Sequence, residues 1–118
     1  MFPVFMDLGG RDCLVVGGGT VAARKLGRLL RAGASVEVVA PQLCEKLVAL
    51  RDAGKIRHSA RAFEAADVEG KALVIAATSR EAVNRSVSEL AKARNIPVNV
   101  VDQPKLCSFI MPSIIDRS

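Results

Sequence analysis

The sequence predicts an α/β fold built on a doubly wound parallel sheet, and three observations carry that expectation. Short β-rich runs alternate along the chain with longer segments of helical period. A glycine-rich turn, Gly17-Gly18-Gly19, stands between the first of these runs and the first helical segment. The run 72–77, Ala-Leu-Val-Ile-Ala-Ala, is apolar at every position, as a strand buried on both faces must be.

The elements follow in order. Residues 12–16 are a short β-rich run ended by glycines. Residues 20–32 put Val21, Leu26, Leu29 and Leu30 on one helical stripe, closed by Gly33. Residues 35–40 form a second strand. Residues 41–53 read as a helix with Leu43, Leu47 and Leu50 on one face, ended by Gly54. A weaker, edge-type strand covers 56–60, and the buried strand covers 72–77. Residues 79–94 are expected as a helix with Ala82, Val83, Val87, Leu90 and Ala91 inward, followed by a last strand over 97–101. The order β-α-β-α-β-β-α-β, with short connections, suits one compact domain over residues 1–105.

Bulk properties narrow the function. A chain of 118 residues, 50% hydrophobic and 25% charged, folds rather than staying disordered. Its apolar runs are too short to cross a bilayer, and no basic leader precedes the apolar residues at the N-terminus, so a cytoplasmic protein is expected. Cys13, Cys44 and Cys107 form no CxxC pair and no metal-ligand spacing with His58, so no metal site is expected. The net charge of +5 suits an anionic partner. The absence of Trp and Tyr removes the stacking platforms of a nucleic-acid binder.

The turn Gly17-Gly18-Gly19-Thr20-Val21-Ala22 lies between strand and helix, where a dinucleotide fingerprint belongs. Gly17 makes the tight turn, Gly19 admits a pyrophosphate close to the backbone, and Ala22 lets the helix pack on the sheet. Amides at the helix start and the helix dipole then favour the phosphates. The second strand ends in Val39-Ala40-Pro41, without the acidic residue of many NAD sites and without an arginine for a 2′-phosphate. Contacts from the backbone and from Gln42 are expected to hold the ribose, and the fingerprint alone does not choose between NAD and NADP.

Asn99-Val100-Val101-Asp102 ends the last strand, which puts Asp102 at the carboxyl edge of the sheet, with Thr78-Ser79 reaching the same edge. A carboxylate there can take the proton that accompanies hydride loss from a substrate. It fits equally well as a cap or turn residue before Gln103-Pro104. Arg24, Arg28 and Arg31 share a helical face with Lys25 beside them, which reads either as a solvated face or as an anion seat.

Two stretches carry a family resemblance. Residues 17–25, Gly-Gly-Gly-Thr-Val-Ala-Ala-Arg-Lys, are similar to the GGG-x-VA-x-RK signature of siroheme synthases and precorrin-2 dehydrogenases. Residues 99–102 with 108–118 resemble the same family's NVVD…SFIMPSIIDRS segment, so the likeness spans the whole chain. It implies a Rossmann-type domain that oxidises precorrin-2 to sirohydrochlorin with NAD, and in some members then inserts Fe²⁺ as substrate to give siroheme. It further implies Asp102 as the catalytic base. The dinucleotide contacts fall on Gly19, Thr20, Val21, Pro41 and Gln42; Gly17, Gly18 and Thr78 complete the expected cofactor set. Arg24, Lys25 and Asn99 are the expected substrate contacts. Residues 106–118 would begin a β-rich segment that builds a homodimer and the tetrapyrrole cleft, and the chain reads as cut short at Ser118. An NAD-binding, ligand-sensing module without catalysis is the competing reading.

Overall fold

In the computed structural model, which describes residues 7–108, the chain forms five parallel strands and three α-helices. Strand β1 is Asp12–Val16, helix α1 Thr20–Arg31, β2 Ser35–Val39, α2 Glu45–Asp52 and β3 Arg57–Ser59. A 3₁₀ turn at Ala65–Val68 leads into β4, Leu73–Ala76. Helix α3, Glu81–Ala93, precedes β5, Val98–Val100, and a second 3₁₀ turn at Pro104–Leu106 follows. The sheet order is β3-β2-β1-β4-β5, all pairs parallel. The doubly wound parallel sheet is therefore as expected, with β3 on an edge.

Alternation along the strands splits the core into two layers. Cys13, Val15, Val36, Val38 and Ile75 face α1 and α2. Leu14, Val16, Val39, Val74, Val98 and Val100 face α3 and the first 3₁₀ turn. Strands covered on both faces need apolar side chains at every position, which is why β1 and β4 read as unbroken hydrophobic runs. The chain leaves β3 on one side and crosses to β4 on the other side of β1, so a crevice opens between the carboxyl ends of β1 and β4.

Two expectations are corrected. The helix expected over 41–53 starts only at Glu45, because Pro41, Gln42, Leu43 and Cys44 form a loop pinned to the glycine turn, Cys44 N–H donating to Gly18 O at 2.7 Å. Ala82, expected inward, is exposed, whereas Asn84 and Ser88 occupy the buried stripe of α3 beside Val87 and Ala91. These polar groups are anchored: Asn84 binds the Thr78 loop, and the Ser88 hydroxyl donates to Leu106 O. Most of the expected C-terminal segment, residues 109–118, lies outside the described residues.

After the second 3₁₀ turn the chain folds back on β5. Ser108 N–H donates to Val98 O at 2.8 Å and Val98 N–H to Ser108 Oγ at 2.8 Å. Val100 N–H donates to Cys107 Sγ at 3.1 Å. These bonds occupy an otherwise open sheet edge.

On the other edge, Arg61 grips Asp67 through two hydrogen bonds of 2.6 and 2.8 Å, and Glu64 N–H donates to the same carboxylate at 2.8 Å. The Arg61 guanidinium holds the Asp67 carboxyl below its ordinary value, the backbone N–H of Glu64 helps, and burial opposes both. A depressed folded-state value contributes stability above the unfolded value of about 4, and that contribution is lost as pH falls through the folded value. Asp67→Asn should therefore lower the thermal midpoint at pH 7 and converge with the parent protein in strong acid. Parallel melting curves from pH 7 down to pH 2 would show instead that the pair contributes nothing.

Candidate functional site

The crevice at the switch point is an open cleft of about 1020 Å³. Its floor is the β1–α1 turn, and its walls are the loops after β2, β4 and β5. Gly17, Gly18, Gly19, Thr20, Val21, Pro41, Gln42, Thr78 and Asp102 all line it, so residues spread over 86 positions of sequence meet at one carboxyl edge.

The three glycines differ in why they are glycine. Gly17 has φ of +129°, and a Cβ on it would collide with Ala77 O. A Cβ on Gly18 would collide with Gln42 O and press on Ala40 at 3.0 Å. Gly19 has φ of −93°, which any residue adopts, and a Cβ there would meet nothing within 4 Å. Gly17 and Gly18 therefore let protein loops approach one another, whereas Gly19 keeps space open in the cleft. Gly19 is also the N-cap of α1, and no side chain caps the helix or places an acid in its first turn. The first amides of α1 are left to an anionic ligand, as a diphosphate requires.

The end of β2 is neutral. Ala40, Pro41, Gln42 and Leu43 line the cleft there, opposite Ala62 and Phe63. Glu37 turns to the other side of the sheet, where it pairs with Lys71 at 3.4 Å and accepts from Ser59 Oγ at 3.0 Å. His58 holds this end in place, its Nε2 lying 2.8 Å from Ala40 O.

The loop after β4 is shaped by Asn84. Its Oδ1 accepts from Thr78 Oγ1 at 2.6 Å and from Thr78 N–H at 3.2 Å, and its Nδ2 donates to Thr78 O at 3.0 Å. The Thr78 hydroxyl is thus committed to the loop, and Thr78 serves the cleft mainly through its backbone. The sequence reading missed Asn84; its only signal was a polar residue on the inward stripe of α3. It also missed Ala62 and Phe63, which no motif marks.

Asp102 is exposed and adopts a left-handed φ of +59°, a conformation that aspartate tolerates better than most residues. The conformation turns the chain out of β5 at the cleft rim. Asn99 and Lys25 lie outside the cleft lining. Asn99 is 4% exposed on the α1 side of β5, and Lys25 Nζ donates to its Oδ1 at 3.2 Å. Burial first, and then repulsion from Arg28, pulls the Lys25 ammonium below its ordinary value. Arg24 is exposed and lines no part of the cleft.

A glycine turn at the switch point, free helix amides and a neutral ribose end define a dinucleotide-binding α/β domain. The family described as "Putative NAD(P)-binding" (NAD_binding_7) matches residues 4–113, and the chain belongs to it. More particularly, the chain is 61% identical over 99% of its length to the siroheme synthase of Thioalkalivibrio sulfidiphilus, and 59% identical over 98% to that of Methylobacillus flagellatus. It spans only 24% and 25% of those proteins. Among solved structures it is similar to SirC, a precorrin-2 dehydrogenase, at a TM-score of 0.84 and 31% identity. That match covers 96% of this chain and 55% of the other.

The geometry separates two kinds of glycine substitution. Gly18→Ala should lower the thermal midpoint by several degrees, because the colliding atom is backbone. Gly19→Ala should leave the midpoint within about 2 °C yet weaken dinucleotide binding about tenfold or more, by narrowing the phosphate approach. Calorimetry and fluorescence titration measure the two quantities, and a Gly19→Ala protein with unchanged affinity would place the phosphates elsewhere.

Proposed function

We propose that this chain is the dinucleotide-binding and catalytic part of an enzyme that oxidises precorrin-2 to sirohydrochlorin in siroheme biosynthesis. The observation that carries the reading is the position of Asp102, a carboxylate on the rim of the same cleft as the Gly17-Gly18-Gly19 turn. The similarity to siroheme synthases and to SirC supports the substrate.

When bound, NAD⁺ supplies the hydride acceptor. The α1 amides and Gly19 would hold its diphosphate, and Pro41 and Gln42 would border its ribose. A neutral ribose end favours NAD⁺ over NADP⁺, since a 2′-phosphate would find no cation among the described residues lining that end. Arg61, beside it in sequence, is committed to Asp67. Oxidation removes a hydride and a proton from the tetrapyrrole, and the Asp102 carboxylate accepts the proton. The products balance as sirohydrochlorin, NADH and H⁺. The protein's main contribution is orientation, which backbone amides and a fixed carboxylate provide.

The same reading takes the working enzyme as a cytoplasmic homodimer, with the chain from residue 106 onward contributing to the dimer and the tetrapyrrole cleft. The free thiols of Cys13, Cys44 and Cys107 are compatible with a reducing compartment.

The test is anaerobic turnover of precorrin-2 by a chain extended to the length of its siroheme synthase relatives, followed through NADH and sirohydrochlorin absorbance. Asp102→Asn should reduce kcat about 100-fold or more while leaving the Kd for NAD⁺ within about twofold. Full activity in that variant would remove Asp102 from the mechanism. Dinucleotide binding without any tetrapyrrole oxidation by the parent protein would favour a ligand-sensing module.

A further inference from the structure

The ribose end of the cleft is neutral, yet an arginine leaves the backbone beside it. Ala40 N–H and Arg61 N–H donate to the same oxygen, Ser59 O, at 3.2 and 3.0 Å. Arg61 is therefore next to the end of β2, and the two residues after it, Ala62 and Phe63, line the cleft together with Pro41, Gln42 and Leu43. In a dinucleotide fold, an arginine near this strand end is what accommodates the 2′-phosphate of NADP.

Here the guanidinium is engaged elsewhere. Arg61 Nη1 donates to Asp67 Oδ2 at 2.8 Å and to Ala62 O at 3.1 Å, while Nη2 donates to Asp67 Oδ1 at 2.6 Å. Glu64 Oε1 lies 3.8 Å from the same guanidinium. Asp67 is itself fixed: its side chain is 8% exposed, and Glu64 N–H donates to its Oδ2 at 2.8 Å. A bidentate pair sets the orientation of a guanidinium as well as neutralising its charge. With two carboxylates around one cation, this loop repels a further anion instead of seating it. Arg51 stands beyond the His58 ring that contacts Ala40 O, and it pairs with Asp52.

We propose that Asp67 is a specificity-determining residue for the cofactor: by holding the Arg61 guanidinium within its own loop, it withholds from the ribose end the cation that a 2′-phosphate needs. Preference for NAD⁺ then comes from sequestering an arginine, where many dinucleotide sites use an acidic residue at the end of the second strand. Glu64 adds to the effect as the nearer of the remaining carboxylates on that loop. The inference deepens the dinucleotide reading of the cleft and rests on it, but it is independent of which substrate is oxidised.

The test is a gain of affinity, which partial unfolding does not imitate. In the extended protein, Kd for NAD⁺ and for NADP⁺ is measured by fluorescence titration, with the thermal midpoint, for three variants beside the parent. These are Asp67→Asn with Glu64→Gln, the same two substitutions with Arg61→Met added, and Arg61→Met alone. The first variant should bind NADP⁺ about tenfold more tightly than the parent, with the NAD⁺ Kd within about twofold. Asn is close to Asp in shape and its Oδ1 can still accept from Glu64 N–H, so the loop keeps its form while the grip on Arg61 is lost. Adding Arg61→Met should return NADP⁺ to the parent affinity. Arg61→Met alone breaks the same ion pair and should lower the midpoint without any gain for NADP⁺, which separates a freed cation from a loosened loop. The gain should also shrink as salt is added, since screening weakens the attraction to the phosphate. An unchanged NADP⁺ Kd in the folded first variant would overturn the proposal, as would a gain that survives Arg61→Met or a parent protein that binds both dinucleotides equally. If the parent binds neither dinucleotide, the cofactor reading of the cleft falls, and the role of Asp67 with it.

Discussion

The site depends on how closely three loops pack around Gly17 and Gly18. Gly17 N–H donates to Val39 O at 3.1 Å, Cys44 N–H to Gly18 O at 2.7 Å, and Ala77 N–H to Val16 O at 2.8 Å. These bonds draw the ends of β2 and β4 against the end of β1, to a distance that no Cβ at either glycine permits. With the loops locked together, α1 must start at Gly19 with its first amides facing the crevice. The same packing holds Pro41 and Gln42 out of α2. An uncapped helix start at the cleft, the cleft wall at Pro41 and Gln42 and a helix boundary all follow from one steric constraint.

Much of this was legible because it is written in backbone requirements. Glycine at Gly17, Gly18 and Gly19 marks the turn, unbroken apolar runs mark β1 and β4, and Asn99-Val100-Val101 marks the strand that carries Asp102 to the edge. Where the expectation failed, tertiary demands replaced local pattern. Residues 41–44 have helical periodicity with Leu47 and Leu50, but Cys44 N–H is drawn to Gly18 O of the glycine turn. On α3, Asn84 and Ser88 take positions where periodicity expects apolar side chains, because the loops after β4 and β5 need anchors. A buried amide is costly unless satisfied, and three hydrogen bonds to Thr78 satisfy this one. Nothing in the local sequence announces a partner six residues away around a turn.

Electrostatics divide the molecule in a way that composition alone hides. Asp12, Asp52, Asp67, Glu37, Glu69 and Glu81 are paired with cations on other parts of the surface or in the β2 layer. Asp102, like Asp7, Glu45 and Glu89, enters none of these pairs; what sets it apart is its place on the rim of the cleft. A carboxylate locked into a short ion pair is a poor proton acceptor, since the pair stabilises its charged form. Free of such a pair, the Asp102 carboxylate stays open to the cleft, as the proposed reaction would need.

The division between backbone and side chains explains why so few residues carry chemistry here. Hydride transfer needs donor and acceptor carbons held at a fixed distance and angle, with one group to take a proton. In the proposed reaction the backbone of four loops, which Gly17 and Gly18 let pack closely, would do the first, and the Asp102 carboxylate the second. Side chains are then free to handle what the backbone cannot, the charge of the ligand. At α1 the uncapped N-terminus borders the cleft, whereas Lys25, further along the helix, is hydrogen-bonded to Asn99 of β5.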